Sequence, residues 1–403
     1  MKFGLITERK SPPDRRVVFS PTKLATVKAQ FPQVNFLVEA SAIRVFPDAL
    51  YQENGFEVTK DMSSCDVLLG VKEVPISALI PNKKYFFFSH TIKKQPYNRA
   101  LLQAVLEKNI ELYDHETITD ASGSRLIGFG RYAGIVGAYN GFRALGMRDK
   151  LYELPKVENQ PDYKTVKQAL DAIKTKLPAI KIVLTGSGKV AYGAKEILDH
   201  LGIKEVNVDD YLSKSFSEPV YCHIDVLDYN KRKDGQHLDR FDFYNHPKDY
   251  QSDFMRFAKV SNFFITGHFY GEGAPAFFTK EEVKSPAFKI DLIADVSCDI
   301  NGPIPSTIRA STIAEPFYGY HPETDTEVAF NAPGAITVMA VDNLPCELPK
   351  NASEGFGEMF LKNVIPAFYN HDKDGILKRA KMTENGKLTP KYAYLQAYVE
   401  GKE

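Results

Sequence analysis

Neither sign of charge is in excess along this chain: 51 Lys and Arg balance 51 Asp and Glu over 403 residues. Nucleic acid and anionic membrane surfaces reward a clustered basic surplus, so neither is expected as a main partner. A small anionic ligand needs only a few placed Arg and Lys and stays open. Cysteine is scarce and scattered, at Cys65, Cys222, Cys298 and Cys346, with no CxxC and no Cys/His cluster. That spacing argues against a metal centre and predicts free thiols in a reducing compartment. No apolar run approaches the roughly 20 residues of a membrane span. The start, MKFGLITERK, enters a strand pattern at once, without a signal or transit pattern, so a cytoplasmic setting is expected. Repeats and low-complexity tracts are missing as well. What remains is a globular composition, 43% hydrophobic and 25% charged. Its length exceeds one ordinary core, which predicts two or three domains.

The first 120 or so residues read as alternating strands and helices. Strands are expected at Lys2–Thr7, Val34–Ala40, Phe56–Thr59, Asp66–Val71, Tyr85–Ser89 and Ile110–Asp114. Ser20-Pro21 starts a helix, with a side-chain cap followed by proline at the first helical position. Leu101, Leu102, Val105 and Leu106 share one helical face. The short apolar strands suit a parallel sheet buried on both faces. Each of the last three runs is followed by chemistry: Lys72 and Glu73, then His90, then His115 and Glu116. Ligands of open α/β sheets bind beyond the carboxyl ends of the strands. Lys72, Glu73, His90 and Glu116 are therefore expected to face one crevice. An imidazole ordinarily titrates near 6.5 and suits proton transfer. A lysine serves as well when burial or cations lower its affinity for the proton.

Tyr132–Arg143 is a helix rich in Gly and Ala, built for close approach to another backbone, at a domain junction or in an ordinary core. At Lys181 a second organiser begins: the strand Ile182–Thr185, the turn Gly186-Ser187-Gly188-Lys189-Val190-Ala191, and a helix to His200. This is the start of a dinucleotide-binding βαβ unit, whose glycines let a pyrophosphate approach the helix N-terminus. A glycine-rich turn that only packs a helix on a sheet is the alternative. Val206–Val208 reads as the next strand, with Asp209, 23 residues after Gly186, as the ribose-binding acid. Later strands are expected at Asn262–Thr266 and Asp291–Val296, placing Tyr270 and Asp299 in loops facing the cofactor. Leu227–Tyr250 is polar and aromatic and reads as an insertion or long loop. Ala335–Val341 is an apolar, β-branched run, and Ala352–Phe368 a helix returning to the first domain.

The motifs DRRVVFSP, GVKEVP, FSHTIKKQ, YDHE, GSRLIGFGRYAG, DVSCDINGPI, STIAEPFYGY, MAVDNLPCELP and LTPKYAYLQ run through nearly the whole chain. Together they resemble the saccharopine dehydrogenase and lysine–ketoglutarate reductase family, above all its saccharopine-forming reductases, with alanine dehydrogenase as a fold relative. The resemblance implies an α/β protein of two Rossmann-like domains with parallel sheets and an active-site cleft between them. Residues 1–130 plus about 325–403 would form the substrate domain and 131–324 the NAD(P)-binding domain. It implies reversible condensation of L-lysine with 2-oxoglutarate to saccharopine at the expense of a reduced nicotinamide. Lys72 and His90 match the family's acid–base pair, Glu73 and Glu116 the acids that tune it, and Arg16 and Arg125 its carboxylate-binding arginines, with Lys93 adding charge. Position 124 is serine where fungal enzymes have a second arginine. Asp209 tips the expected cofactor from NADP toward NAD. Small-molecule substrates and a monomer or homodimer are expected. The alternatives are an opine-type or amino-acid dehydrogenase with another amine or oxo acid, and a dinucleotide-binding sensor without turnover.

Overall fold

A computed structural model describes residues 1–402 of the chain, and in it the early apolar runs form six strands. These are β1 (Lys2–Leu5), β2 (Asn35–Glu39), β3 (Glu57–Thr59), β4 (Val67–Leu69), β5 (Lys84–Phe87) and β6 (Glu111–Asp114). All are parallel, in the order β3-β2-β1-β4-β5-β6. Val67, Leu68 and Leu69 are each 0% exposed. Fully burying one such side chain contributes about 1.5–3 kcal/mol, an upper bound because unfolded chains already bury some apolar surface. The sheet and its helices belong to one compact unit, Met1–Phe129 with Pro349–Glu403. The helix Pro21–Gln30 starts as the sequence predicts, with Ser20 Oγ accepting from Lys23 N–H at 3.2 Å.

The C-terminal segment supplies the far wall of this unit. Phe356 and Phe360 of the helix Pro349–Asn363 pack on Phe19, Phe86, Phe88, Phe129 and His115. Ser353 Oγ accepts from Val17 N–H at 3.0 Å. Met382 and Thr383 cover the edge of β6, exchanging hydrogen bonds with the main chain of Leu112. An edge strand left bare would offer unpaired backbone groups.

The other unit is Gly130–Leu348. Its strands are β7 (Lys181–Thr185), β8 (Lys204–Glu205), β9 (Val220–Ile224), β10 (Asn230–Arg232), β11 (Tyr250–Ser252), β12 (Phe263–Ile265), β13 (Leu292–Ala294), β14 (Phe317–His321), β15 (Thr326–Val328) and β16 (Ile336–Met339). Eight of them form a sheet in the order β15-β14-β16-β13-β12-β7-β9-β8, with β14 antiparallel to both of its neighbours. The small-residue helix Gly130–Asp149 packs on the helix Lys189–His200 so closely that a methyl on Gly134 would strike the Val190 carbonyl. One on Gly193 would strike the carbonyl of Arg131. Its glycines thus serve contact within this unit.

Three expectations are corrected here. Val206–Val208 is not a strand: Asn207 caps a helix at Val208–Ser213 by accepting from Asp210 N–H at 2.9 Å. Asp209 and Asp210 fall in that helix's first turn, where negative charge is favoured. The neighbour of β7 is instead β9, whose Val220–Ile224 run carries a histidine and a cysteine among its apolar residues. The chain also does not leave the second unit near residue 325, because β15 and β16 are ladder strands of its sheet. Finally, Leu227–Tyr250 is more than a loop. It carries β10, which pairs with β11, and the helix Arg240–Asn245, and it sends Tyr229, Phe243 and Tyr250 into the core.

Candidate functional site

Because β1 to β6 are parallel, the residues that follow β1, β4, β5 and β6 lie at one end of the sheet. The strand order reverses between β1 and β4, the place where open α/β sheets hold ligands. Glu8 bridges this point. Its buried carboxylate accepts from Val71 N–H at 2.7 Å and Lys72 N–H at 2.8 Å, and so pins the turn that carries Lys72. Burial pushes the Glu8 carboxyl up to about 7, against the pull of its two backbone donors.

His90 stands between two carboxylates. Its Nδ1 is 3.6 Å from Glu116 Oε2 and its Nε2 is 3.9 Å from Glu73 Oε1. Glu73 is held from the other side by Lys10 at 2.9 Å. Glu116 Oε1 faces both Lys93 Nζ at 3.5 Å and Arg125 Nη2 at 3.4 Å. Burial works against the charged form of Glu116, but His90, Lys93 and Arg125 outweigh it and hold the carboxyl at about 2. Glu116 is therefore anionic at neutral pH and can steady positive charge on His90.

The backbone at His90 is left-handed, with φ +54°, an unusual conformation for a residue with a side chain. Asp114 holds it there. Its Oδ2 accepts from Ser89 N–H at 2.9 Å, from His90 N–H at 3.1 Å and from the Ser89 hydroxyl, while Oδ1 accepts from Glu116 N–H at 2.7 Å. One buried carboxylate thus fixes the loops bearing both His90 and Glu116. The phenyl ring of Phe88 stacks on the His90 ring, with centroids 6.0 Å apart.

His115, next to Glu116, has a different role. It is fully buried among Phe88, Phe356 and Phe360, and its Nε2–H donates to the Gly70 carbonyl at 2.8 Å. Burial lowers its pKa to about 4, so it is a neutral packing group. Arg16 is buried too. It grips Asp14 bidentately, at 3.0 and 2.6 Å, and its guanidinium lies 4.2 Å over the Phe129 ring. Burial disfavours the Asp14 carboxylate, yet Arg16 keeps its pKa down at about 2. Ser124 is turned into a tight loop, with its N–H on Asp120 and its hydroxyl on that of Ser122. The structure therefore gathers Glu73, His90, Lys93, Glu116 and Arg125 into one cluster, and commits Arg16 to Asp14.

In the second unit Gly186 has φ +100°, and a side chain there would strike the Gly267 carbonyl. Ser187, Gly188 and Lys189 are exposed at the N-terminus of the helix Lys189–His200, with Val190 half-buried behind them. This geometry fits a dinucleotide pyrophosphate, which needs close backbone approach to a helix N-terminus. Asp209 is exposed and follows β8, which β9 separates from β7. The acid at the end of the strand beside β7 is Asp225: the carbonyl of Ile224, just before it, accepts from Gly186 N–H at 2.9 Å. Tyr270 donates its hydroxyl to the Ala274 carbonyl at 3.0 Å, and Asp299 is exposed beyond β13. Among the described residues no group of three or more His, Cys, Asp and Glu is placed to hold a metal ion. No helix among them is long and apolar enough to cross a membrane.

The motifs of the sequence assign no role to Glu8, Asp114 or Asp225. Each stands at or just beyond a strand's carboxyl end, and that position is the signal the sequence holds for them.

Comparison with known proteins agrees with this architecture. Residues 4–136 match the family described as alanine dehydrogenase/PNT, N-terminal domain. The alpha-aminoadipic semialdehyde synthase of Arabidopsis thaliana is 28% identical over 97% of this chain, and the mitochondrial one of Rattus norvegicus 29% over 91%. The chain spans 41% and 45% of those two proteins, less than half of each. The saccharopine dehydrogenase [NAD(+), L-lysine-forming] of Yarrowia lipolytica is 26% identical over 91% of this chain and 92% of its own length. Among solved structures, an L-alanine dehydrogenase superposes with a TM-score of 0.66 at 16% identity, over 99% of both chains. The transhydrogenase of Sinorhizobium meliloti gives 0.62 at 15%, over 96% of this chain and 100% of its own. In sequence the chain is thus similar to the saccharopine dehydrogenases and alpha-aminoadipic semialdehyde synthases, and it has the fold of alanine dehydrogenase.

Proposed function

We propose that this protein is a nicotinamide-dependent oxidoreductase that reversibly condenses L-lysine with 2-oxoglutarate to give saccharopine. The observation that carries the reading is His90, held between Glu73 and Glu116 at the carboxyl ends of parallel strands. The lysine ε-ammonium, with an ordinary pKa near 10.4, must lose a proton before it attacks the ketone, and the carbinolamine must gain one before it loses water. Lys72 and His90 are the groups assigned to these transfers. Glu116, anionic and flanked by cations, faces the Nδ1 side of His90, and Glu73 faces its Nε2 side. Arg125 and Lys93 lie on the exposed side of Glu116 and suit a substrate carboxylate. The dinucleotide, held at the Gly186 turn, supplies the hydride when bound.

A second reading is favoured by the state of two expected carboxylate-binding positions. Arg16 is occupied by Asp14, and position 124 offers only a hydroxyl already turned into its own loop. An oxo acid with one carboxylate, such as pyruvate, makes fewer demands on this site. One assay separates the two: oxidation of NADH or NADPH followed at 340 nm with lysine and 2-oxoglutarate, then with ornithine, glutamate and pyruvate substituted in turn. Turnover with lysine and 2-oxoglutarate is expected. Activity with pyruvate but not 2-oxoglutarate would overturn saccharopine, and no oxidation with any pair would overturn the enzyme reading.

A further inference from the structure

The choice between NAD and NADP rests on the ribose 2′ position, and the strand order puts Asp225, not Asp209, at the end of the strand beside β7. Asp225 follows Ile224, the last residue of β9, and Ile224 pairs in register with Thr185 at the end of β7. Gly186 N–H donates to the Ile224 carbonyl at 2.9 Å and His223 Nε2 lies 2.5 Å from the Gly186 carbonyl, so the end of β9 is tied to the nucleotide turn. Asp225 is 39 residues after Gly186, well past the usual spacing of about 20. The excess is β8 and the helix Val208–Ser213, which the chain inserts before β9.

Asp225 does not stand alone. Its Oδ1 accepts from Leu227 N–H at 2.9 Å, and its Oδ2 is paired with the guanidinium of Arg240. Arg240 belongs to the helix Arg240–Asn245, in the segment between β10 and β11, and its side chain is 51% exposed. A lone carboxylate beside the nucleotide turn accepts ribose hydroxyls and repels a 2′-phosphate. Here the carboxylate is neutralised by a cation exposed enough to be re-aimed, whose planar fork suits a phosphate.

We propose that Asp225 and Arg240 together read the adenosine ribose and let this chain take both dinucleotides. Asp225 accepts the ribose hydroxyls of NAD, and Arg240 leaves Asp225 to engage the 2′-phosphate of NADP. Each ligand must part the same ion pair, so neither gains the full benefit of its partner, and the two affinities lie close together. The inference rests on the dinucleotide reading of the Gly186 turn.

The test is binding of NADH and NADPH, by nucleotide fluorescence or calorimetry, to the intact protein and to Arg240→Ala and Asp225→Asn, with thermal melts as the check on folding. For the unaltered protein both dinucleotides are expected to bind within about tenfold of each other. A hydrogen bond to a charged group accounts for a change of about 10- to 100-fold. Arg240→Ala should weaken NADPH by that factor and tighten NADH, because Asp225 is freed. Asp225→Asn should move the ratio of affinities the other way. NADH binding with NADPH untouched by Arg240→Ala, or a ratio moved the same way by both variants, would overturn the proposal and leave the dinucleotide reading standing. Failure of the unaltered protein to bind either dinucleotide would overturn both.

Discussion

Replacing Asp114 tests whether one buried carboxylate sets the geometry around His90. The side chain is 0% exposed and accepts four hydrogen bonds, from Ser89 N–H, the Ser89 hydroxyl, His90 N–H and Glu116 N–H. A buried hydrogen bond to a charged group contributes about 1.5–3 kcal/mol, and an abandoned buried donor costs about 1–3 kcal/mol. These contributions do not add, because the loops relax and water enters. A loss of about 3–5 kcal/mol for Asp114→Ala is the expected range for breaking such a network. Asp114→Asn is milder. Its amide oxygen can still face Ser89 and His90, but its NH₂ then faces Glu116 N–H, losing that bond and the charge, for about 1–3 kcal/mol. The left-handed backbone at His90 stores of order 1–3 kcal/mol that Asp114 holds in place. Once released, residues 89–94 relax and His90 leaves its place between Glu73 and Glu116. Displacement of a reacting group by about 1 Å costs on the order of 100-fold in rate. Urea unfolding gives the first quantity, as a fall in midpoint with an unchanged slope, and kcat for the proposed condensation gives the second. Asp114→Asn with stability within about 0.5 kcal/mol of the parent and an unchanged kcat would refute the reasoning.

Three further outcomes follow from particular residues. Lys72→Met and His90→Gln should each lower kcat by about 10²–10⁴-fold, with thermal melts showing both folded; unchanged rates in both would remove the acid–base assignment. Burial pushes the Glu347 carboxyl up to about 8 from an ordinary value of 4.5, although it accepts from Asn140 at 2.9 Å. Between those values the folded chain binds more protons than the unfolded one, so stability falls as pH rises, by at most about 1.4 kcal/mol per unit for this group. Glu347→Gln should therefore gain on the parent by a few kcal/mol between pH 5 and 8, read as a difference in urea midpoint that widens with pH; a constant difference would contradict it. Gly193→Ala drives a methyl into the carbonyl of Arg131 and should cost about 1–3 kcal/mol. Gly202→Ala, which meets no atom but has φ +75°, serves as the comparison for backbone strain alone, and an equal cost would argue against helix contact as the cause.

The positions of chemistry along the chain were legible in the sequence because strand ends are local features. Apolar runs stop where Lys72, His90 and Glu116 begin, and parallel pairing then brings those ends to one side of a sheet. The Gly186 turn was legible for the same reason, as a strand, a glycine pair and a helix in direct succession. The turn of His115 into the core was not: Glu116 is its neighbour, but the aromatic rings that enclose His115 come from residues 88, 356 and 360.

Tertiary structure decided which groups hold the others. Glu8 meets the turn of Lys72 across 64 residues, and Asp114 meets Ser89 across 25. A carboxylate's hydrogen-bond partners depend on which strand lies beside it, and strand order leaves no local trace. The same cause separates Asp209 from the Gly186 turn. Asp209 has the expected spacing, but β9 lies next to β7, so Asp225 with its partner Arg240 stands at the end of the strand beside that turn. Sequence determined which residues stand at strand ends, because backbone pattern is written residue by residue. Sheet pairing decided which ends are neighbours, because ladder hydrogen bonds join segments whose separation along the chain carries no information about their order.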